Sequence, residues 1–185
     1  MTWLDRFLRG WRMRVALRHV PRGSRVLDIG TYDGLLFATA GAVGVGLDPD
    51  LAPGAQGAPG ITLIRGAFPQ DLDGQGAGTF DAATALAVIE HVPEAELPDW
   101  SGALAELVRP GGRVVITVPS PAVDHILHVL MRLRLVAGMQ AHQHHGFEPD
   151  DVNGVFTAPS WRLERHRTFQ LGLNHLFVFQ RTSAP

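Results

Sequence analysis

Two carboxylates and two glycines at set spacing are the residues of this chain best suited to chemistry. Asp28 stands two positions before Gly30, Gly34 follows four positions later, and Asp48 lies 20 residues after Asp28. A ligand can approach backbone closely only where side chains are missing, which favours glycine at 30 and 34. A carboxylate at the end of the next strand can accept hydrogen bonds from both hydroxyls of a ribose, and Asp48 has about the offset that this role requires.

The surrounding residues supply the elements that would position these groups. Val26, Leu27 and Ile29 form an apolar run that ends at Gly30, Leu35 to Ala40 can be helical, and a second β-like run over residues 43–47 closes on Asp48. Strand, glycine turn, helix, strand and terminal acid make one βαβ unit with a nucleotide-sized notch at its first turn. The loop reads D-x-G-x-x-x-G rather than G-x-G-x-x-G, with Tyr32 where a middle glycine is expected. Asp28 and Asp33 would repel a pyrophosphate and hold an ammonium or sulfonium. The expected ligand is an adenosine that carries an amino acid, and a nicotinamide dinucleotide is disfavoured.

The run V-L-D-I-G-T-Y-D-G followed by G-V-G-L-D resembles the first two motifs of the class I S-adenosylmethionine-dependent methyltransferases. The likeness continues through F-D-A-A-T-A-L-A-V-I-E-H-V and L-V-R-P-G-G-R-V-V-I-T-V-P, covering residues 25–119 closely and the rest more loosely. The resemblance implies an α/β, Rossmann-like doubly wound sheet of seven strands in the order 3-2-1-4-5-7-6, the last strand antiparallel. It also implies S-adenosyl-L-methionine as cofactor, with Asp28, Gly30, Thr31, Tyr32 and Gly34 around its amino acid part and Asp48 and Pro49 at its ribose. In the family the loop after the third strand frequently carries an aspartate for the adenine. This chain has Ala67 there, so its backbone and the face of Phe68 are expected to serve instead. Ala85, Leu86 and Ala87 would lie along the methionyl part, with Glu90 and His91 facing the reaction. A sulfonium-bound methyl is already activated, so alignment and exclusion of water are the main demands. If the acceptor is a hydroxyl, His91, His144 and His145 are the candidate catalytic bases.

At 185 residues the chain reads as a single domain, an amphipathic helical segment over 1–24 joined to a methyltransferase domain over 25–185. It is 45% apolar and has no cysteine, which removes disulfide and thiolate chemistry. It has no apolar run of about 18 residues, so a cytoplasmic protein is expected. Net charge is −2, yet all 16 basic residues are arginine and seven fall within the first 25 positions. Residues 3–19 place Leu4, Phe7, Leu8, Trp11 and Val15 on one helical stripe with the arginines largely off it. This predicts a helix over a sheet edge or the pocket mouth with a solvated arginine face. The alternative is peripheral contact with anionic lipid through Trp3 and Trp11.

Proline and glycine over residues 49–60 leave room only for a short second crossover. Further β runs are expected over 61–65, 80–86, 113–118, 161–169 and 173–181, and helices over 98–109 and 122–136 and from about 149. His142, His144 and His145 crowd into four positions. Adjacent residues rarely converge on one ion and no cysteine or spaced acid completes a tetrahedron, so no metal site is expected and a substrate-side loop is the simpler reading. The modest length of 119–148 leaves little material for a deep lid. The expected function is therefore methyl transfer to a small-molecule or lipid-like acceptor. The rival is a non-catalytic binding or scaffolding domain of the same fold, favoured by Tyr32 and Ala67. Nucleic acid is disfavoured as substrate by the overall charge, and the two apolar helical stripes leave self-association open.

Overall fold

A computed structural model describes residues 3–72, 74–120 and 149–183. The expected helix over 122–136 and the loop bearing His142, His144 and His145 lie outside the described residues. Within them, α1 (Trp3–Leu17) precedes β1 (Arg25–Ile29), α2 (Leu35–Ala40), β2 (Val43–Leu47), β3 (Ile61–Ile64) and β4 (Phe80–Leu86). Then follow α3 (Leu97–Leu107), β5 (Val108–Pro119), α4 (Asp151–Val155), β6 (Trp161–Phe169) and β7 (Asn174–Arg181).

The seven strands form one sheet in the order β3-β2-β1-β4-β5-β7-β6. The first five pair in parallel, and β7 runs antiparallel to both β5 and β6. This is the arrangement that the resemblance implied. Reversal of strand order at β1/β4 opens a crevice at the carboxyl ends of these strands, the usual ligand site of open α/β sheets.

Period-2 alternation divides the core into two layers. Leu27, Ala83, Val114, Phe177 and Phe179 point to the side covered by α3 and α4, where Trp100, Leu104, Val152 and Phe156 meet them. Val26, Ala82, Val115, Leu176 and Val178 point to the other side, against Leu36 and Phe37 of α2 and Met13, Val15 and Ala16 of α1.

Two elements differ from the sequence expectation for physical reasons. β5 begins at Val108 rather than near 113, because Val108 pairs with Phe80 before the chain bulges out through Pro110, Gly111 and Gly112 and resumes with Ala82 opposite Arg113. α1 is also rotated about its axis relative to the expected stripe. Of the expected stripe Val15 is buried, but Phe7 and Trp11 are exposed, as is Trp3, and Met13 and Ala16 are buried in their place. At about 100° per residue, positions 8, 12, 15 and 16 share the inward face, so the rotation carries arginines inward as well. α1 is fixed in this pose by Gln170, whose Nε2 donates to the Leu8 carbonyl over 2.8 Å from the β6–β7 turn.

Candidate functional site

The first turn folds as its glycines demand. Gly30 has φ +76° and Gly34 has φ +69°, left-handed values that let the chain leave β1 and enter α2 within five residues. A Cβ on Gly30 would lie 2.4 Å from Cγ2 of Val88, so the residue also keeps the floor of the crevice open. Gly30→Ala therefore combines left-handed strain with a steric clash, and we expect it to cost about 2–3 kcal/mol of stability. A thermal melt that moves by less than about 2 °C would contradict this.

Asp48 is buried at the tip of β2 and is locked to the turn by two backbone donors. The Tyr32 N–H reaches its Oδ2 at 2.9 Å and the Asp50 N–H its Oδ1 at 2.8 Å. Each carboxylate oxygen can accept a second hydrogen bond, so the lock leaves capacity for a diol. The Tyr32 ring does not plug the turn. It is 58% exposed, with the Arg9 guanidinium 5.2 Å above its centroid.

Two pockets meet at Gly30. The larger, about 240 Å³, is mostly apolar and is lined by Ile29, Leu47, Pro49, Ala67, Phe68, Val88, Val92 and Trp100, with His91 at the same wall. The smaller, about 190 Å³, is lined by Asp28, Thr31, Tyr32, Leu36 and Leu86 and is roofed by Arg9, Arg12 and Met13 of α1. Of the residues expected to bind the cofactor, Gly30, Pro49, Ala67 and Phe68 thus line the first pocket, and Asp28, Gly30, Thr31, Tyr32 and Leu86 the second. Asp48 stands behind Tyr32 as its anchor, and Gly34 caps the start of α2. Ala85 is buried within β4. Ala87 has φ +60° and ties back through its N–H to the Thr117 carbonyl at 2.9 Å. His91 sits in a single 3-10 turn after β4, exposed on the apolar pocket's wall, and His144 and His145 lie outside the described residues.

The pocket under α1 holds, beside the expected Asp28, two arginines that the sequence did not place there. Asp28 is fully enclosed and accepts a hydrogen bond from Thr84 Oγ1 at 2.6 Å. Burial pushes its carboxyl up to about 6, opposed by that hydrogen bond and by Arg9. Arg9 is held by Asp33, with Nη1 donating to Oδ2 at 2.8 Å, and this pairing keeps Asp33 below the ordinary carboxylate range. Arg12 has no such partner, and its Nε is sealed from solvent without a hydrogen bond among the described residues. Desolvation lowers the Arg12 guanidinium, and Glu90 acts against it. Glu90 is 3% exposed, its Oε2 is likewise unpartnered, and burial pushes it up to about 7. A buried Nε with open hydrogen-bonding capacity on an arginine that lines the pocket suits a polar ligand's seat, while Glu90 lies outside the lining of both pockets. Arg9, Arg12 and Glu90 were not placed in the cofactor site by sequence. The only available signal was that arginines at 9 and 12 fall one turn apart on the face that also holds Leu8 and Ala16.

The arrangement suits a ligand with a flat apolar end, a diol in the middle and a zwitterionic end.

Comparison with known proteins agrees with this geometry. A family model described as a methyltransferase domain matches residues 2–179. A ubiquinone biosynthesis O-methyltransferase from Aromatoleum aromaticum is 38% identical over 103 residues, which are 50% of this chain and 42% of that protein. The protein of the same name from Xanthomonas axonopodis pv. citri is 26% identical over 88% of this chain and 78% of its own length. Among solved structures, 1,6-didemethyltoxoflavin-N1-methyltransferase of Burkholderia thailandensis, with bound 1,6-didemethyltoxoflavin and S-adenosylhomocysteine, superposes with a TM-score of 0.70. It covers 98% of this chain and 81% of its own at 16% identity, a likeness of fold. With the family model spanning nearly the whole chain and the sheet order, first turn and crevice all in place, the chain belongs to the methyltransferase-domain family, in its class I S-adenosylmethionine-dependent branch.

Proposed function

We propose that the protein transfers a methyl group from S-adenosylmethionine to a hydroxyl oxygen of a small, lipid-like acceptor. The observation that carries the cofactor assignment is Arg12, whose buried Nε has no hydrogen-bond partner among the described residues, on the wall of the same pocket as Asp28. That pair suits an α-amino acid, whose carboxylate meets Arg12 and whose ammonium meets Asp28, each in a charge-assisted hydrogen bond. Asp48 would receive the ribose hydroxyls and Phe68, Val92 and Trp100 the adenine. When bound, the cofactor supplies an electrophilic methyl on a sulfonium.

The chain's own residues then have to bind, orient and exclude water. α1 roofs the pocket through Arg9, Arg12 and Met13, and Gly30 and Val88 fix the floor between the two pockets. Proton removal from a hydroxyl falls to a nearby base, for which His91, His144 and His145 are proposed. The names of the curated relatives favour an oxygen acceptor. The exposed ring faces of Trp3, Phe7 and Trp11, on a helix that also carries exposed Arg6 and Arg14 and is followed by exposed Arg18, favour an acceptor met at a lipid surface. No helix among the described residues is long and apolar enough to cross a membrane.

The test is calorimetry with S-adenosylmethionine and with NAD, followed by transfer of labelled methyl to hydroxylated isoprenoid acceptors presented in anionic vesicles. We expect micromolar binding of the first ligand, none of the second, and label in an ether. Absence of S-adenosylmethionine binding at millimolar concentration would overturn the cofactor assignment. Label in nitrogen or carbon products alone would overturn the acceptor.

A further inference from the structure

A second cleft lies on the α1 side of the sheet, at the outer strands and away from the crevice. Its volume is about 430 Å³ and it is lined by Arg113 of β5, Arg162, Leu163, Glu164 and Arg165 of β6, Val178 of β7, and His19 just after α1. The register explains why the charges converge. Arg165 lies opposite Val178 and Arg167 opposite Leu176, and both partners belong to the core layer under α1, so the two arginines share that face. A bulge between Leu163 and Arg165 inserts Glu164, which accepts from Arg113 Nε at 2.7 Å and lies 3.9 Å from Arg162 Nη2. The carboxylate thereby gathers two arginines from different strands.

One acid does not balance this group. Arg165 and Arg167 have no ion pair with it, and Arg167 has Nε and Nη2 buried without a hydrogen-bond partner among the described residues. Sealed guanidinium donors without an acceptor are costly unless an anion satisfies them. We propose that this cleft is a second ligand site, distinct from the cofactor crevice, that takes a phosphate group through Arg113, Arg162 and Arg165 on its wall, with Arg167 adding its charge from behind the lining. Guanidinium forks suit the paired oxygens of a phosphate, and convergence from two strands and one helix end gives the site a fixed shape. The phosphate comes either from a soluble phosphomonoester or from a phospholipid headgroup, and the chemistry at the arginines is the same for both.

His19 provides an internal reporter. Burial lowers its imidazole, and Arg165, Arg167 and Arg113 lower it further, while Glu164 acts in the opposite sense. A phosphate seated among these arginines cancels their field and raises the His19 titration midpoint. The experiment follows the His19 ring by NMR as pH is varied, in inorganic phosphate and in chloride at equal ionic strength. In parallel, sedimentation is measured with phosphatidylcholine vesicles with and without phosphatidate. We expect a saturable upward shift in phosphate alone, and about tenfold weaker binding in R165Q/R167Q. If only phosphatidate-dependent sedimentation is seen, and the double variant loses it, the source is lipid and the site stands. Should the double variant fail to fold, R165Q at its exposed position reads the same shift. No phosphate-specific movement of His19, together with phosphatidate binding unchanged in the variants, would overturn the proposal. None of these readouts depends on methyl transfer, so the two readings fail separately.

Discussion

Arg12→Met is expected to weaken S-adenosylmethionine binding about 100-fold while leaving the unliganded protein as stable as the parent or more so. A hydrogen bond to a charged group contributes about 1.5–3 kcal/mol, and loss of the upper value corresponds to about two decades in affinity. Arg12 is suited to a charged group because its Nε is buried with no hydrogen-bond partner among the described residues and the side chain roofs the pocket that holds Asp28. Methionine keeps the stem's contacts and removes a cation whose burial lowers its own ionisation. Loss of affinity with an intact fold separates a ligand contact from a structural one. A dissociation constant within threefold of the parent's would remove Arg12 from the site, and with it the carboxylate partner of the proposed cofactor. Arg9 is the poorer candidate, since Asp33 already occupies it in a paired contact.

This residue also shows where sequence reading stops. The first turn was legible because its constraint is local: only glycine suits φ +76° beside Val88, and only an acid at 48 can accept from the N–H groups of Tyr32 and Asp50 together. The sheet was legible because each strand is a short apolar run, and the family likeness then gave the order. α1 was not, since a helix with Trp3, Phe7 and Trp11 on one side and Leu8, Ala16 and Met13 on another offers two faces of similar apolarity. Packing decided between them. Ala16 is fully buried, and its small side chain lets the helix lie close to Val26, Ala82 and Val115, which the tryptophan face could not do. Arg12 and Arg9 then face the crevice as a consequence of that choice. Glu90 was seen as a reaction-side residue, but its raised ionisation depends on how deeply the turn after β4 is covered, which no local pattern reports.

Glu90→Gln is expected to stabilise the unliganded protein at pH 8 by about 3 kcal/mol and to leave it unchanged at pH 4. Burial lifts the Glu90 carboxyl from an ordinary 4.5 to about 7, with its own backbone N–H and Arg12 opposing. The sign follows from proton binding. Between those values the folded protein holds a proton that the unfolded chain has released, so stability falls as pH rises through the window. Below it both states are protonated and nothing is lost; above about 7 the whole cost of a buried carboxylate is present, about 3 kcal/mol for a difference of this size. Asp28, lifted to about 6, adds a second decline of the same sign at lower pH. Asp33 and Asp81 have the opposite sign, because Arg9 and the Arg25 N–H respectively hold them below the ordinary value, and they lose stability only in more acid solution. Unfolding free energies measured from pH 4 to 9 should therefore decline between about pH 4.5 and 7 less steeply in the glutamine variant than in the parent, and run level with pH above that window as far as Glu90 is concerned. Asp28 lines the pocket proposed for the cationic end of the cofactor, so cofactor binding should release a proton and tighten from about pH 5 to 7. S-adenosylhomocysteine, which lacks the sulfonium charge, should show a smaller gain over that range. Parallel unfolding curves for parent and variant at every pH would show that Glu90 is ionised and satisfied, and would remove it from the charge balance of the crevice.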